Sequence, residues 1–109
     1  MIHINIGSNL DSKFGTRFDN ITIAVQLLVQ SNIKIKKISN FYETPSYPNQ
    51  NFPKFLNIGL LANYEDSCLS LLNINKSIEK KLGRFKSKKN EPRVIDIDII
   101  DFKKMRDNK

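Results

Sequence analysis

The chain has no tryptophan, one cysteine and one histidine among 109 residues. With Cys68 alone, neither an intrachain disulfide framework nor a cysteine zinc site can form. With His3 alone, a multi-histidine metal cage is excluded. No run approaches the ~20 apolar residues of a membrane-spanning helix. The opening MIHINIGSNL lacks a basic segment followed by a long apolar one, so no signal peptide is expected. No internal repeat and no low-complexity tract is present. These absences predict a soluble, reduced, cytoplasmic protein. Acidic residues are also few, 11 against 18 basic ones, for a formal net charge of +7. Lysine supplies 14 of those 18, a bias that an AT-rich coding sequence would also produce, so the charge alone does not call for nucleic acid.

Apolar residues make up 39% of the chain. That is enough for one domain, which at this size buries roughly 65% of its unfolded surface. Residues 2–6 alternate, with Ile2, Ile4 and Ile6 on one side and His3 and Asn5 on the other, the pattern of a half-buried strand. Gly7-Ser8-Asn9 ends it. Thr16 is placed to cap a helix, with Asp19 three residues on. Phe18, Ile21, Val25 and Leu28 recur at helical spacing, flanked by Ala24 and Leu27, until Ser31-Asn32. Residues 33–42 read as a second strand. Thr44 to Pro53 holds three prolines without periodicity, a long loop of the kind that carries function. Residues 54–63 read as a third strand, with Leu56, Ile58 and Leu60 opposite Phe55, Asn57 and Gly59. Residues 67–82 read as a second helix along Leu71, Ile74, Ile78 and Leu82, with Gly83 where a C′ glycine belongs. Cys68, at the helix start, reads as a small filler. Residues 94–102 read as a fourth strand. The order β-α-β-β-α-β predicts an α+β, ferredoxin-like fold: a four-stranded antiparallel sheet with two helices on one face and the other face open.

Three features carry chemistry. In the fourth strand, alternation turns Ile95, Ile97 and Ile99 to the helices and puts Asp96 and Asp98 together on the open face, with Cα atoms about 6.6 Å apart. Two readings are open: carboxylates held together by bound cations, as in two-Mg²⁺ phosphoryl chemistry, or an amphipathic strand with solvated aspartates. Just before that strand, residues 84–93 hold five cations. They form either a solvated basic loop or a clamp on a polyphosphate whose other side the metal holds. On the same open face lie Phe55 and Asn57, beside the loop that starts with Thr44, Pro45 and Tyr47. An aromatic and an amide suit a flat heterocycle, or are only an edge aromatic and a strand-end amide. Glu79 lies off the buried helical stripe, one turn before Gly83. It either orients the basic loop, meets a nucleotide hydroxyl, or is solvated.

Taken in order, IGSNL (6–10), FYETP (41–45), FLN (55–57), E-x-x-x-G-R (79–84) and PRVIDIDII (92–100) resemble the 6-hydroxymethyl-7,8-dihydropterin pyrophosphokinase family across nearly the whole chain. The resemblance implies transfer of pyrophosphate from ATP to the hydroxymethyl group of the reduced pterin, giving AMP and the pterin diphosphate in folate biosynthesis. By similarity, Asp96 and Asp98 hold two Mg²⁺ ions, and Arg84 and Arg93 act with them in catalysis. Glu79, Lys86 and Ile99 fall on the ATP side. Thr44, Pro45, Tyr47, Phe55 and Asn57 fall on the pterin side. The resemblance makes residues 43–54 a pterin-side loop and 84–93 a basic lid that excludes water. The expected partners are the two small-molecule substrates, with no nucleic acid and no membrane, and a monomer is favoured. There are departures. Asn90-Glu91 stand where the family often has Trp-Gly, and Lys86 stands at a position that is commonly arginine. The chain ends shortly after Phe102, where family members continue. An alternative is therefore a shortened homologue that binds nucleotide without turnover. A basic ferredoxin-like RNA-binding module is a further alternative, although the aromatic RNP1 pattern is not found.

Overall fold

The computed structural model describes residues 1–46, 51–84 and 92–102. Strand β1 spans Ile2–Ser8, and its Ile2, Ile4 and Ile6 are fully buried. Helix α1 spans Arg17–Gln30 and opens with a capping box: the Thr16 hydroxyl accepts the Asp19 N–H, and the Asp19 carboxylate accepts the Thr16 N–H. It closes at Ser31, with Asn32 in the left-handed region at φ 69°. Strands β2 (Lys34–Ile38), β3 (Tyr42–Thr44) and β4 (Phe55–Asn63) follow, then helix α2 (Cys68–Lys81) and strand β5 (Asp96–Phe102). All pairings are antiparallel, in the order β2-β4-β1-β5, with β3 also on β4. This is an α+β arrangement consistent with the ferredoxin-like fold. Among the described residues, no helix is long and apolar enough to cross a membrane.

The edge strand expected over residues 33–42 is broken into two. β2 pairs with residues 60–63 of β4, and β3 with residues 55–57. At the break, the Ser39 hydroxyl accepts the Gly59 N–H at 2.8 Å, while the Ser39 N–H donates to the Gly59 carbonyl. One side chain thus supplies the acceptor that a continuous strand would offer from its backbone. Glu43 and Thr44, read from sequence as loop, pair with β4.

The core lies between the sheet and the two helices. It contains Ile2, Ile4, Ile6, Ile58, Leu60, Ile95 and Ile97 from the sheet side, and Ile21, Ala24, Leu28, Leu71, Ile78 and Leu82 from the helices. The stripe expected on α1 is rotated at its start. Phe18 is exposed and meets Phe41, ring centroids 5.0 Å apart, while Asn20 is fully buried in its stead. The Asn20 amide donates to the carbonyls of Leu10 and Val94 at 3.0 and 3.2 Å, and so joins the segments that follow β1 and precede β5. Those carbonyls have no strand partner, and a buried amide satisfies them where a leucine could not. Cys68 is exposed, not a filler.

β5 carries a bulge that alternation alone does not reveal. Asp98 lies opposite Asn5 and Ile99 opposite Ile4, but His3 lies opposite Asp101, with Ile100 as the extra residue. The slip leaves Ile100 exposed and turns Phe102, opposite Ile2, back onto the core. Residues 96–99 therefore keep their alternation, and the bulge corrects the phase only beyond them.

Candidate active site

The open face of the sheet is read best across the strands. Tyr42 lies opposite Asn57, Asn57 opposite Gly7, and Gly7 opposite Asp96. The next row places Gly59 opposite Asn5 and Asn5 opposite Asp98. Thus the residues singled out on β4 and β5 share one face, separated only by β1. At about 4.8 Å per strand, Asn57 and Asp96 stand roughly 10 Å apart across the sheet.

Gly7 makes this row possible. A Cβ there would stand 2.7 Å from Asn57 Oδ1 and 3.4 Å from the Phe55 ring. The Asn57 side chain, almost fully buried, therefore lies over bare β1 backbone. Its Nδ2 donates to Thr44 Oγ1 at 3.0 Å, with the carbonyls of Tyr42 and Phe55 farther off at 3.4 Å. Thr44 and Asn57 thus form one hydrogen-bonded unit, with Phe55 beside it and Pro45 following it. We expect Gly7→Ala to tilt Asn57 out of this pose. Thermal stability should fall by about 1–3 kcal/mol, the ordinary range for overpacking. Any heterocycle held by Asn57 should bind at least about tenfold more weakly, as calorimetric titration of wild type and variant would show.

At the other end of the row, α2 builds the cationic side. Leu82 caps the helix, and Gly83 takes φ +97°, which only glycine adopts freely. The Gly83 N–H reaches the Lys80 carbonyl and the Arg84 N–H reaches the Glu79 carbonyl at 2.9 Å, a complete Schellman closure. That turn folds Arg84 back over the helix end. One guanidinium nitrogen of Arg84 meets Glu79 Oε2 and Asp96 Oδ1, each at 2.9 Å. The same Glu79 oxygen accepts the Ile97 N–H at 2.8 Å, on the outer edge of β5. Burial raises the Glu79 pKa above the ordinary carboxylate value, while the Ile97 N–H and the Arg84 charge oppose the rise. Glu79 is therefore a strut between α2, β5 and Arg84. Glu79→Ala should lower stability by about 1.5–3 kcal/mol, the range for a hydrogen bond to a charged group. Glu79→Gln keeps an acceptor for Ile97 and should lose less, a difference that denaturant titration would resolve.

Arg93 approaches from the opposite side, with Nη1 3.5 Å from Asp96 Oδ2. Its Nε is buried and has no hydrogen-bond partner among the described residues. Asp98 is the exposed member of the pair. Burial of its carboxyl, and then the negative charge of Asp96, raise its pKa; Arg84 and Arg93 oppose the rise. Ile99 turns to the core, not to the open face. Tyr47 and Lys86 lie outside the described residues, as does most of the segment 84–93.

Asp96 and Asp98 suit a hard divalent cation. They are adjacent carboxylates, and burial and the Asp96 charge disfavour the ionised form of Asp98. Mg²⁺ typically takes one or two carboxylates and fills its remaining positions with water and phosphate oxygens. Among the described residues, no cluster of three or more potential ligands occurs, so these residues leave the other positions of any such ion to water or to a ligand's oxygens.

The sequence reading missed three residues that hold this face together: Gly7, Asn20 and Asn9. The buried Asn9 amide donates to Ser46 Oγ and the Pro53 carbonyl, each at 3.0 Å, and accepts the Arg93 N–H. The IGSNL run contained Gly7 and Asn9, but nothing in its local pattern says which distant segments they meet.

The sequence profile of the 7,8-dihydro-6-hydroxymethylpterin-pyrophosphokinase family matches residues 3–106. A 2-amino-4-hydroxy-6-hydroxymethyldihydropteridine pyrophosphokinase of Aquifex aeolicus is 35% identical over 102 residues, 94% of this chain and 61% of that protein. The Bacillus subtilis protein of the same name is 32% identical over 101 residues, 92% of this chain and 58% of that protein. A mitochondrial folate synthesis bifunctional protein of Pisum sativum is 36% identical over 104 residues, which is 94% of this chain and 19% of the longer protein. The chain thus spans about three fifths of the length of these two bacterial relatives. With the motifs spread over its whole length and the fold in agreement, the chain belongs to the 7,8-dihydro-6-hydroxymethylpterin-pyrophosphokinase family.

Proposed function

We propose that this chain binds ATP and 6-hydroxymethyl-7,8-dihydropterin side by side on the open sheet face and moves the β,γ-pyrophosphate of ATP to the pterin hydroxymethyl oxygen. The carrying observation is the cross-strand row Asn57–Gly7–Asp96, which sets an amide–aromatic pair roughly 10 Å from a carboxylate–guanidinium cluster. That spacing suits a bicyclic ring whose hydroxymethyl arm points at a phosphate chain.

On the ring side, Phe55 offers a face for stacking, and the Thr44–Asn57 unit with Pro45 reads the edge of the heterocycle; Tyr47, outside the described residues, would join them. On the phosphate side, Arg84 and Arg93 flank Asp96; Lys86, outside the described residues, would add charge toward the nucleotide, and Ile99, whose side chain faces the core, would meet it through the backbone of β5. Glu79 holds Arg84 in place. Asp96 and Asp98 would hold two Mg²⁺ ions, which when bound neutralise charge on the phosphate oxygens. In the reaction, the hydroxymethyl oxygen attacks the β-phosphorus, the bond from that phosphorus to the α,β-bridging oxygen breaks, and AMP leaves with that oxygen. The hydroxymethyl proton departs to solvent. The guanidinium groups stabilise charge on the transferring group as the old bond opens. The buried, unpartnered Nε of Arg93 is a donor poised for a phosphate oxygen. The segments 43–54 and 84–93, of which residues 47–50 and 85–91 lie outside the described residues, would border the two substrates. A reducing, ATP-containing compartment such as the cytoplasm suits this chemistry, as does a monomer.

The test is calorimetric titration of the purified chain with a non-hydrolysable ATP analogue and with the pterin, each with and without Mg²⁺. The reading expects both ligands to bind, with nucleotide affinity dependent on Mg²⁺. A folded protein that binds neither ligand would overturn it.

A further inference from the structure

We infer that Asn9 is a positioning residue that ties the ring side of this face to the phosphate side through the two ends of one amide. The inference rests on the functional reading above and assigns a role to a residue outside it. Asn9 is 2% exposed. Its Nδ2 donates to Ser46 Oγ and to the Pro53 carbonyl, each at 3.0 Å, and Ser46 Oγ donates in turn to the Pro53 carbonyl at 2.8 Å. Its Oδ1 accepts the Arg93 N–H at 2.6 Å, while its own backbone N–H donates to the Arg93 carbonyl at 3.0 Å. Both amide protons and one amide lone-pair site are thus committed, to segments 37 to 84 residues away in the chain.

The positions of those partners give the tie its meaning. Ser46 lies two residues after Thr44, and Pro53 two residues before Phe55, so the amide nitrogen joins the two chain positions that flank the ring-side residues Thr44-Pro45 and Phe55. Arg93 lies three residues before Asp96, so the amide oxygen fixes the backbone from which that guanidinium reaches the carboxylate. The donor end and the acceptor end act on different substrates and can be removed separately. Ser46→Ala loosens only the donor end. Asn9→Asp keeps an acceptor for Arg93 and loses both donors. Asn9→Ala removes both ends.

The experiment measures hydrogen exchange at the Arg93 amide, together with steady-state kcat and KM for each substrate, in the full chain and the three variants. Asn9→Ala should lose protection at Arg93, raise the pterin KM and lower kcat, each by about tenfold or more, as small misplacements of reacting groups do. Ser46→Ala and Asn9→Asp should raise the pterin KM while the Arg93 amide stays protected and the ATP KM stays near that of wild type. A role in folding alone would lower thermal stability without this split. If Asn9→Ala does not fold, Ser46→Ala carries the test. Pterin and ATP parameters that shift together in Ser46→Ala, or an Arg93 amide that stays protected in Asn9→Ala, would overturn the assignment. A folded wild-type protein that binds neither ligand would overturn the functional reading and this role with it, whereas binding of both without the split overturns this role alone.

Discussion

Asp98→Asn should abolish pyrophosphate transfer while leaving the protein as stable as before or more so. The two effects have opposite signs for one reason. Asp98 is the exposed neighbour of Asp96, and the partial desolvation of its carboxyl together with that neighbouring charge disfavours its ionised form. Its side-chain hydrogen bond is to its strand neighbour Asp96, and none to another element is found among the described residues. Removing its charge relieves repulsion within the folded protein. On the proposed function the same charge would be needed, because a hard cation shared with phosphate oxygens requires anionic oxygen donors. The loss in kcat/KM should be at least about a hundredfold, the scale on which a single preorganised electrostatic contact acts. Thermal unfolding and AMP release, measured on the same preparation, check both halves. A variant that loses stability while keeping activity would reverse the assignment.

Arg93→Ala carries the second large effect. Among the described residues the side chain makes one long ion pair, 3.5 Å from Asp96, and its Nε is buried without a partner. Its side chain thus supports little of the fold, whereas a phosphate oxygen would complete its donor set. The variant should unfold within about 1 kcal/mol of wild type, as expected for a weak ion pair. Its kcat should fall about a hundredfold or more, the scale of lost charge stabilisation in the transition state. Arg93→Lys should recover only part of that loss, because a lysine keeps the charge but not the planar fork. Steady-state kinetics of the two variants, set against their denaturant midpoints, separate this from a structural defect. The contrast with Arg84 is instructive. Arg84 bridges Glu79 and Asp96 at 2.9 Å each, so its removal should cost both stability and activity, and it could not separate them.

Much of this architecture was legible in the sequence. The alternation at residues 2–6 gave β1 and its buried face, and Thr16 with Asp19 marked the start of α1. Gly83 marked the end of α2, and the structure adds that its Schellman turn also aims Arg84. The open-face placement of Asp96 and Asp98 followed from period two alone. What was not legible depended on contacts between distant segments. Asn20 displaces Phe18 from the buried face of α1 because two carbonyls, at Leu10 and Val94, need a donor there. Helical periodicity carries no trace of them. The split of the 33–42 strand depends on Ser39 meeting Gly59 across the sheet. The β5 bulge is visible only against β1, because Ile99-Ile100 is apolar throughout and gives no local sign of a phase change. The family match speaks against the RNA-binding alternative, and on the open face the aromatics Tyr42 and Phe55 share the sheet with two aspartates, which repel a phosphate backbone.

The most direct test of the account follows the pyrophosphate itself. The purified chain is incubated with Mg²⁺, 6-hydroxymethyl-7,8-dihydropterin and ATP labelled in the γ-phosphate, and the products are separated by chromatography. The account predicts AMP and a labelled pterin diphosphate in equal amounts, with neither formed when the pterin is omitted. ADP with a singly phosphorylated pterin, or no pterin-dependent product from the folded protein, would contradict it.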